Sequence, residues 1–465
     1  MTTKINNEHN KLNVPNKREQ NQTCLDSAEH EKNQGRKVLN VPNKQEQNQT
    51  CLDSAEREGL RPKGNVPNLR FPEFQGEWEK CKLGDLCNVL MCKRILASQT
   101  NTEEGVPFYK IGTIGNAPDA YISKELFDDY KTKYNYPHKG EVMITCAGTV
   151  GKCVIYDGKD AYYQDSNIVW IDNPSQCISN SFLYHLLAIV DWRKLNSTTI
   201  IRIYNDDLRN LKLSYPQIEE QQKISRLLSL LDERIATQNK IIEDLKKLKS
   251  AIVEKVFCSP NQEYPMCRIE GFEQALSTYK MSDFSSRIAT KNKDSKCSLV
   301  LTIAAQYGLV NQESFFNKSV ASENLTGYYL LHKGEFAYNR SYSAGYDWGA
   351  VKRLDNYDEG VLSTLYICFK INETIVDSDY LAYYFESTKW HRGLSDIAGE
   401  GARNHGLLNV SITDYFNTKH RFPVIEEQKA IAKMLNTITE KERKATLLGE
   451  CYQKQKQYLL RQMFI

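Results

Sequence analysis

The hexapeptide Pro216-Gln217-Ile218-Glu219-Glu220-Gln221 returns as Pro423-Val424-Ile425-Glu426-Glu427-Gln428, an offset of 207 residues from 216 to 423. Each copy opens a long charged segment rich in Leu and Ile. The register persists beyond the opening: Ile224 meets Ile431, Leu227-Leu228 meets Met434-Leu435, and Glu233 meets Glu440. Each segment follows a globular stretch of comparable length. A chain built this way has two similar halves, and two similar halves suit a target with two parts.

Within the first segment Ile224, Leu231, Leu245 and Ile252 fall seven or fourteen residues apart. Leu227, Ile241 and Leu248 supply a second seam, widened by Leu228, Ile235, Ile242 and Val256, with Gln238 as a polar seam position. This is the heptad pattern of a helix that packs along another helix. Glu219 and Glu220 sit in the first turns and Lys247, Lys249 and Lys255 late, as the helix dipole favours. About forty residues of helix span roughly 60 Å. The second segment carries a matching stripe of Ile431, Met434, Leu435, Ile438, Ala445, Leu448, Tyr452 and Leu459. The predicted packing residues are Ile224, Leu227, Leu231, Leu245, Leu248 and Ile252 against Ile431, Met434, Ile438, Tyr452 and Leu459. The expected fold class is therefore α+β. Two globular domains, 65–215 and 258–422, are joined by two long antiparallel coiled-coil helices, 216–257 and 423–465, in a pseudo-twofold arrangement.

Residues 1–64 hold a smaller duplication: Asn13-Val14-Pro15-Asn16-Lys17 recurs as Asn40-Val41-Pro42-Asn43-Lys44. The unit is rich in Asn, Gln, Glu and Lys and poor in aromatics, so it buries too little apolar area to offset chain entropy. A disordered tail is the expectation. The globular stretches echo one another more faintly. His138-Lys139-Gly140-Glu141 before one strand is matched by His332-Lys333-Gly334-Glu335 before another. Asp165-Ser166-Asn167-Ile168-Val169-Trp170 has a counterpart in Leu362-Ser363-Thr364-Leu365-Tyr366-Ile367, and Phe182-Leu183-Tyr184 in Tyr380-Leu381-Ala382-Tyr383.

No stretch of eighteen apolar residues occurs and the N-terminus lacks an apolar signal core, so a cytoplasmic location without membrane contact is expected. Net charge is only +3, so a nucleic-acid-binding surface has to be local. Cys81, Cys87 and Cys92 cluster without a matching Cys/His pair at zinc-finger spacing, and no metal site is assigned. Gly148-Thr149-Val150-Gly151-Lys152-Cys153 imitates a phosphate loop, but Cys146 stands where the first glycine is needed and Cys153 where Ser or Thr is needed. It reads as a glycine turn between two strands. Neither Gly-x-Ser-x-Gly nor His-Glu-x-x-His is present, and no catalytic residue is assigned.

Three polar, basic and aromatic clusters remain. One is Thr198, Arg202 and Tyr204; the second is Asn339, Arg340, Ser341, Tyr342 and Tyr346; the third is Arg403, Asn404 and His405 among glycines. Arg and Asn read guanine and adenine edges bidentately, and Ser, Thr and Tyr serve phosphates. With Lys110, Thr113, Thr149 and Lys152 these are the candidate DNA-binding residues.

The layout resembles the specificity subunit of type I restriction-modification systems. The paired Pro-x-Ile-Glu-Glu-Gln openings at 216–221 and 423–428 carry the resemblance most strongly. Asn65 to Pro72, Trp78 with Lys82-Leu83-Gly84-Asp85-Leu86, and the Gly148–Lys152 hairpin support it. The second half departs from the pattern at its start, where Met266-Cys267-Arg268-Ile269-Glu270 lacks the Trp and the Lys-Leu-Gly-Asp run. The resemblance implies two target recognition domains, each reading one half of a bipartite site in double-stranded DNA. It implies helices that set the spacer and dock two methyltransferase subunits, and a larger complex with restriction/translocase subunits. S-adenosylmethionine, ATP and Mg then belong to those partners, with no cofactor in this chain. Two other classes stay open: a Mg-dependent nuclease using Asp119, Asp157 and Lys159, and a coiled-coil scaffold without a DNA role.

Overall fold

The structure is a computed structural model. It describes residues 64–195, 202–318, 321–322, 324–341, 345–397, 403–404 and 407–465. The duplicated tail therefore lies outside the described residues, apart from Gly64. The described chain divides into two compact units, the first running to Asn239 and including Leu447–Ile465, the second being Lys240–Thr446.

The first unit contains β1 (Glu79–Lys82), α1 (Leu83–Leu86), β2 (Asn88–Leu90), β3 (Val106–Tyr109), β4 (Tyr121–Ile122), α2 (Lys124–Lys133), β5 (Val142–Thr145) and β6 (Cys153–Ile155). It continues with β7 (Tyr162–Tyr163), β8 (Ile168–Asp172), α3 (Asn180–Ile189), α4 (Trp192–Leu195), α5 (Asn205–Arg209), β9 (Lys212–Tyr215) and the first turns of α6 (Ile218–Val256). Its main sheet is antiparallel in the order β2-β8-β5-β6. Strand β5 is buried throughout, and the two-residue alternation of strand side chains explains how. Val142 and Ile144 join Val169, Ile171, Phe182 and Leu183 in one core, whereas Met143 joins Ile168, Trp170, Phe127 and Tyr162 in another. Helix α3 ends after Ile189, where Val190 turns extended at ψ 126°.

The second unit repeats this order with β10 (Ser277–Lys280), α7 (Met281–Phe284), β11 (Ser285–Arg287), β12 (Leu301–Ala304), β13 (Gly308–Asn311), α8 (Gln312–Phe316), β14 (Tyr329–His332) and β15 (Phe336–Asn339). Then come β16 (Ala350–Arg353), β17 (Glu359–Leu362), β18 (Ile367–Ile371), α9 (Ser378–Tyr384), α10 (His391–Ser395), β19 (Arg403–Asn404), β20 (Leu407–Leu408), α11 (Ile412–Asn417), β21 (Lys419–Phe422) and α12 (Ile425–Met463). Its main sheet, β11-β18-β15-β16, has the topology of its counterpart. The missing Trp and Lys-Leu-Gly-Asp run finds its equivalent later than the Met266 region: Lys280-Met281-Ser282-Asp283-Phe284 forms the strand end and short helix that Lys82-Leu83-Gly84-Asp85-Leu86 forms in the first unit. In both, the helix-capping Asp accepts a hydrogen bond from the backbone N–H of the Lys.

The repeated hexapeptide now has a physical explanation. Glu220, 1% exposed, accepts two hydrogen bonds from Arg70, at 2.8 and 2.7 Å. Glu427, also 1% exposed, accepts two from Arg268, at 2.9 and 2.7 Å. Gln221 accepts from Ser179 N–H and donates to Cys177 O and Pro216 O. Gln428 accepts from Asp377 N–H and donates to Ile375 O and Pro423 O. The Glu ties the long helix to a segment that precedes its domain, and the Gln ties it to the entry of α3 or α9. A buried carboxylate and amide of this kind are tolerated only with full sets of partners.

Within each unit the two long helices run antiparallel. In the first, Asp232 pairs with Lys456, and Ile224, Leu228, Met463 and Phe464 share a core. In the second, Val253 and Val256 share a core with Ile431, Ala432 and Leu435. The covered face of α6 follows 224, 231, 238, 245 and 252 together with 228, 235, 242, 249 and 256. Leu248 is 49% exposed and Ile241 also exposed, so the second seam runs one residue later than Leu227-Ile241-Leu248. Lys249 holds that seam position, and its ammonium reaches Glu386 at 3.5 Å and lies over the Tyr383 ring. Tertiary partners for a lysine outrank the apolar residue beside it. Of the remaining predicted packing residues, Ile224, Leu231 and Ile431 are buried; Leu227, Leu245, Ile252, Met434, Ile438, Tyr452 and Leu459 are half-buried. Leu448 is exposed.

Candidate nucleic-acid interface

In the first unit several loops converge beyond the ends of β5 and β6. Gly148 (φ 64°) and Gly151 (φ 83°) adopt the left-handed conformation that glycine reaches without strain. A Cβ on Gly148 would lie 2.8 Å from the Ile111 side chain, and one on Gly151 2.2 Å from Trp192. The turn is thus pressed between the loop after β3 and helix α4. Thr145 donates its hydroxyl to Thr149 O and accepts from Lys152 N–H. Lys152 sends its ammonium to Ile114 O at 2.5 Å. Thr113 closes its own turn by accepting from Lys110 N–H, and Lys110 pairs with Asp119 at 2.9 Å. The Cys146 carbonyl accepts from Ile203 N–H, which brings in the segment of Arg202 and Tyr204. Arg202 donates to Ser166 O and lies over the Tyr204 ring, which is 60% exposed.

The structure therefore gathers Lys110, Thr113, Thr149, Lys152, Arg202 and Tyr204 in one loop cluster; Thr198 lies outside the described residues. Arg94 belongs to the same cluster through its ion pair with Asp165 at 2.8 Å, and sequence reasoning missed it. Its signal was weak, a single Arg in a polar stretch far from the others in sequence.

In the second unit the equivalent position is the β15–β16 connection. Ser341 N–H donates to Asn339 Oδ1 at 3.0 Å, and Tyr346 donates to Ala305 O at 3.3 Å. Arg340 occupies the place of Cys146, since its carbonyl accepts from Leu408 N–H just as Cys146 accepts from Ile203. Its guanidinium donates to Val410 O and Leu365 O, both at 3.2 Å, so the side chain braces three loops from within. Arg403 and Asn404 form β19, paired with β20, which the Leu408 bond places beside Arg340. Tyr342 and His405 lie outside the described residues. Two exposed apolar side chains were not anticipated: Tyr307, 68% exposed in the β12–β13 turn, and Leu365, 58% exposed before β18. Tyr307 was legible as an aromatic beside Gly308 in a hairpin turn.

The residues of the nuclease alternative are each held by a lysine: Asp119 by Lys110, and Asp157 by Lys159 at 3.2 Å. Among the described residues no group of three His, Cys, Asp or Glu side chains could hold a metal ion. No helix among them is long and apolar enough to cross a membrane.

Residues 75–247 match the family model of the type I restriction modification DNA specificity domain. The putative type I restriction enzyme specificity subunit S.HindORF215P of Haemophilus influenzae is 50% identical over 164 residues, 35% of this chain and 42% of that protein. The chain thus matches less than half the length of that relative. The putative MjaX specificity subunit of Methanocaldococcus jannaschii is 22% identical over 406 residues, 81% of this chain and 90% of that protein. The crystal structure of the type I restriction-modification S subunit from M. genitalium superposes with a TM-score of 0.53 at 16% identity, covering 86% of this chain and 99% of that one. With that domain at 75–247 and a fold shared along most of its length, the chain is similar to type I restriction-modification specificity subunits.

Proposed function

We propose that this chain reads a bipartite sequence in double-stranded DNA and performs no catalysis itself. Each unit reads one half through its loop cluster, and the paired helices set the spacing and dock two methyltransferase subunits. Restriction/translocase subunits complete the assembly, and S-adenosylmethionine, ATP and Mg act in those partners. The observation that carries this reading is the contrast between the two units. The Glu–Arg and Gln clamps at 220–221 and 427–428 match bond for bond, whereas the loop clusters share almost no side chain. Identical joints with different tips suit two readers of different base sequences, because base edges are read by side chains in the grooves while positioning is sequence-independent.

Mapping methylated adenines in a genome that carries this chain with its methyltransferase tests the reading. A two-part motif with a fixed non-specific gap is expected. A continuous motif, or DNA cleavage by the purified chain with Mg alone, would refute it.

A further inference from the structure

Each unit also carries a two-stranded ribbon with an unusual charge pattern. In the first, β1 pairs with β9 so that Lys82 stands directly opposite Lys212 and Lys80 opposite Ser214. In the second, β10 pairs with β21 so that Lys280 stands opposite Lys419 and Thr278 opposite Arg421. Residues two apart in a strand share a face. Each ribbon face therefore presents three cations over two rungs, a lysine pair and then one further cation, supplied by β1 in one unit and by β21 in the other. Behind that face, Leu213 and His420 are buried.

Like charges directly opposite on antiparallel strands destabilise the pairing, since their Cβ atoms lie roughly 4.5–5.5 Å apart. The strands read Glu-Lys-Cys-Lys and Lys-Leu-Ser-Tyr in the first unit, Ser-Thr-Tyr-Lys and Lys-His-Arg-Phe in the second. The rung lysines are the positions that coincide. Among the described residues none of these four lysines joins an ion pair; Lys82 donates to Asn210 Oδ1 at 3.1 Å. All four are exposed. In the first unit Lys80, Lys82, Lys212, Asp85 and Ser214 line one open groove. Arg421 is more committed, donating to Gln262 O at 2.8 Å.

We infer that the two lysine rungs, Lys82 with Lys212 and Lys280 with Lys419, are sequence-independent contacts for DNA backbone phosphates. The inference rests on the DNA-recognition reading above and adds a site outside the loop clusters. Lysine is depleted at protein–protein interfaces and serves phosphate as a point charge. A rung repeated in both units while the loops diverge fits a ligand feature that is the same at every position, and the phosphate backbone is that feature.

The test uses the chain assembled with its methyltransferase subunits. Lys82→Gln/Lys212→Gln and Lys280→Gln/Lys419→Gln variants are titrated with a 40-base-pair duplex containing the methylated motif and with one of unrelated sequence, over a range of salt. Each pair should lower the slope of log affinity against log salt by roughly 2, equally on both duplexes, because each phosphate contact contributes roughly 0.9. The variants should melt at or above the parent temperature. Unchanged slopes in a parent that binds DNA overturn the inference alone, as does melting below the parent. Loss of methyltransferase subunits from the variants overturns it in favour of a protein-docking ribbon. A parent that binds neither duplex overturns the DNA-recognition reading itself.

Discussion

Seven residues, 146–152, join β5 to β6 in the first unit; ten, 340–349, join β15 to β16 in the second. The first connection is a glycine turn held by a threonine hydroxyl and pressed against Ile111 and Trp192. The second is organised around an arginine whose guanidinium bonds two backbone carbonyls. Yet the sheets that carry them share an order, and the helix clamps share every bond. Conservation inside this chain follows mechanical duty: the joints are the same because both must fix a long helix to a sheet, and the tips are free to differ.

The largest test of that contrast is the clamp. Glu427→Ala leaves Arg268 mostly buried without its carboxylate, and Glu220→Ala does the same to Arg70. Each substitution should cost about 3 kcal/mol in denaturant unfolding. Unequal costs would break the equivalence of the two joints. Next is the seam: Leu228→Ala, fully buried, should cost about 3 kcal/mol, whereas Leu248→Ala should stay within about 0.5 kcal/mol. Equal costs would restore the Leu227-Ile241-Leu248 seam.

A smaller effect separates the units by pH. Burial lowers the His420 pKa from 6.5 to about 3, and burial likewise lowers that of His185 to about 4. His420 sits between Tyr384 and Thr418 hydroxyls. A lowered histidine pKa means that the unfolded chain binds protons first. Its stabilising contribution is intact above pH 6.5 and lost as pH falls toward the folded value. Each should remove about 1 kcal/mol between pH 6.5 and 5.5. Hydrogen exchange should show His420→Gln flattening this dependence in the second unit only. Smallest in stability is Tyr307→Ala, which should leave melting unchanged while weakening binding of motif DNA about tenfold, the low end of what losing one groove contact costs.

The sequence disclosed the rods and their openings because heptad spacing and a hexapeptide survive as local patterns. It did not disclose why the hexapeptide is kept. The partners Arg70 and Arg268 lie 150 and 159 residues from their glutamates, and no local rule links such positions. The counterpart of the Lys82–Leu86 run in the second unit was hidden for a related reason. Lys280-Met281-Ser282-Asp283-Phe284 keeps the Lys, the capping Asp and the two apolar positions of its counterpart, but with other apolar residues, without the Gly and without a Trp before it. The loop cluster of the first unit was legible in six of its residues, since Lys, Arg, Thr and Tyr near a glycine turn announce themselves. Arg340 was legible as important but not as a brace, because only the fold brings Val410 and Leu365 to it.

The central claim is that each unit reads its own half of the site while the joints and rods hold the spacing. Exchanging residues 71–215 for those of a related specificity subunit, then sequencing methylated adenines, tests it most directly. The account predicts a motif altered in one half, with the other half and the gap unchanged. An unaltered motif, or one altered in both halves, would contradict it.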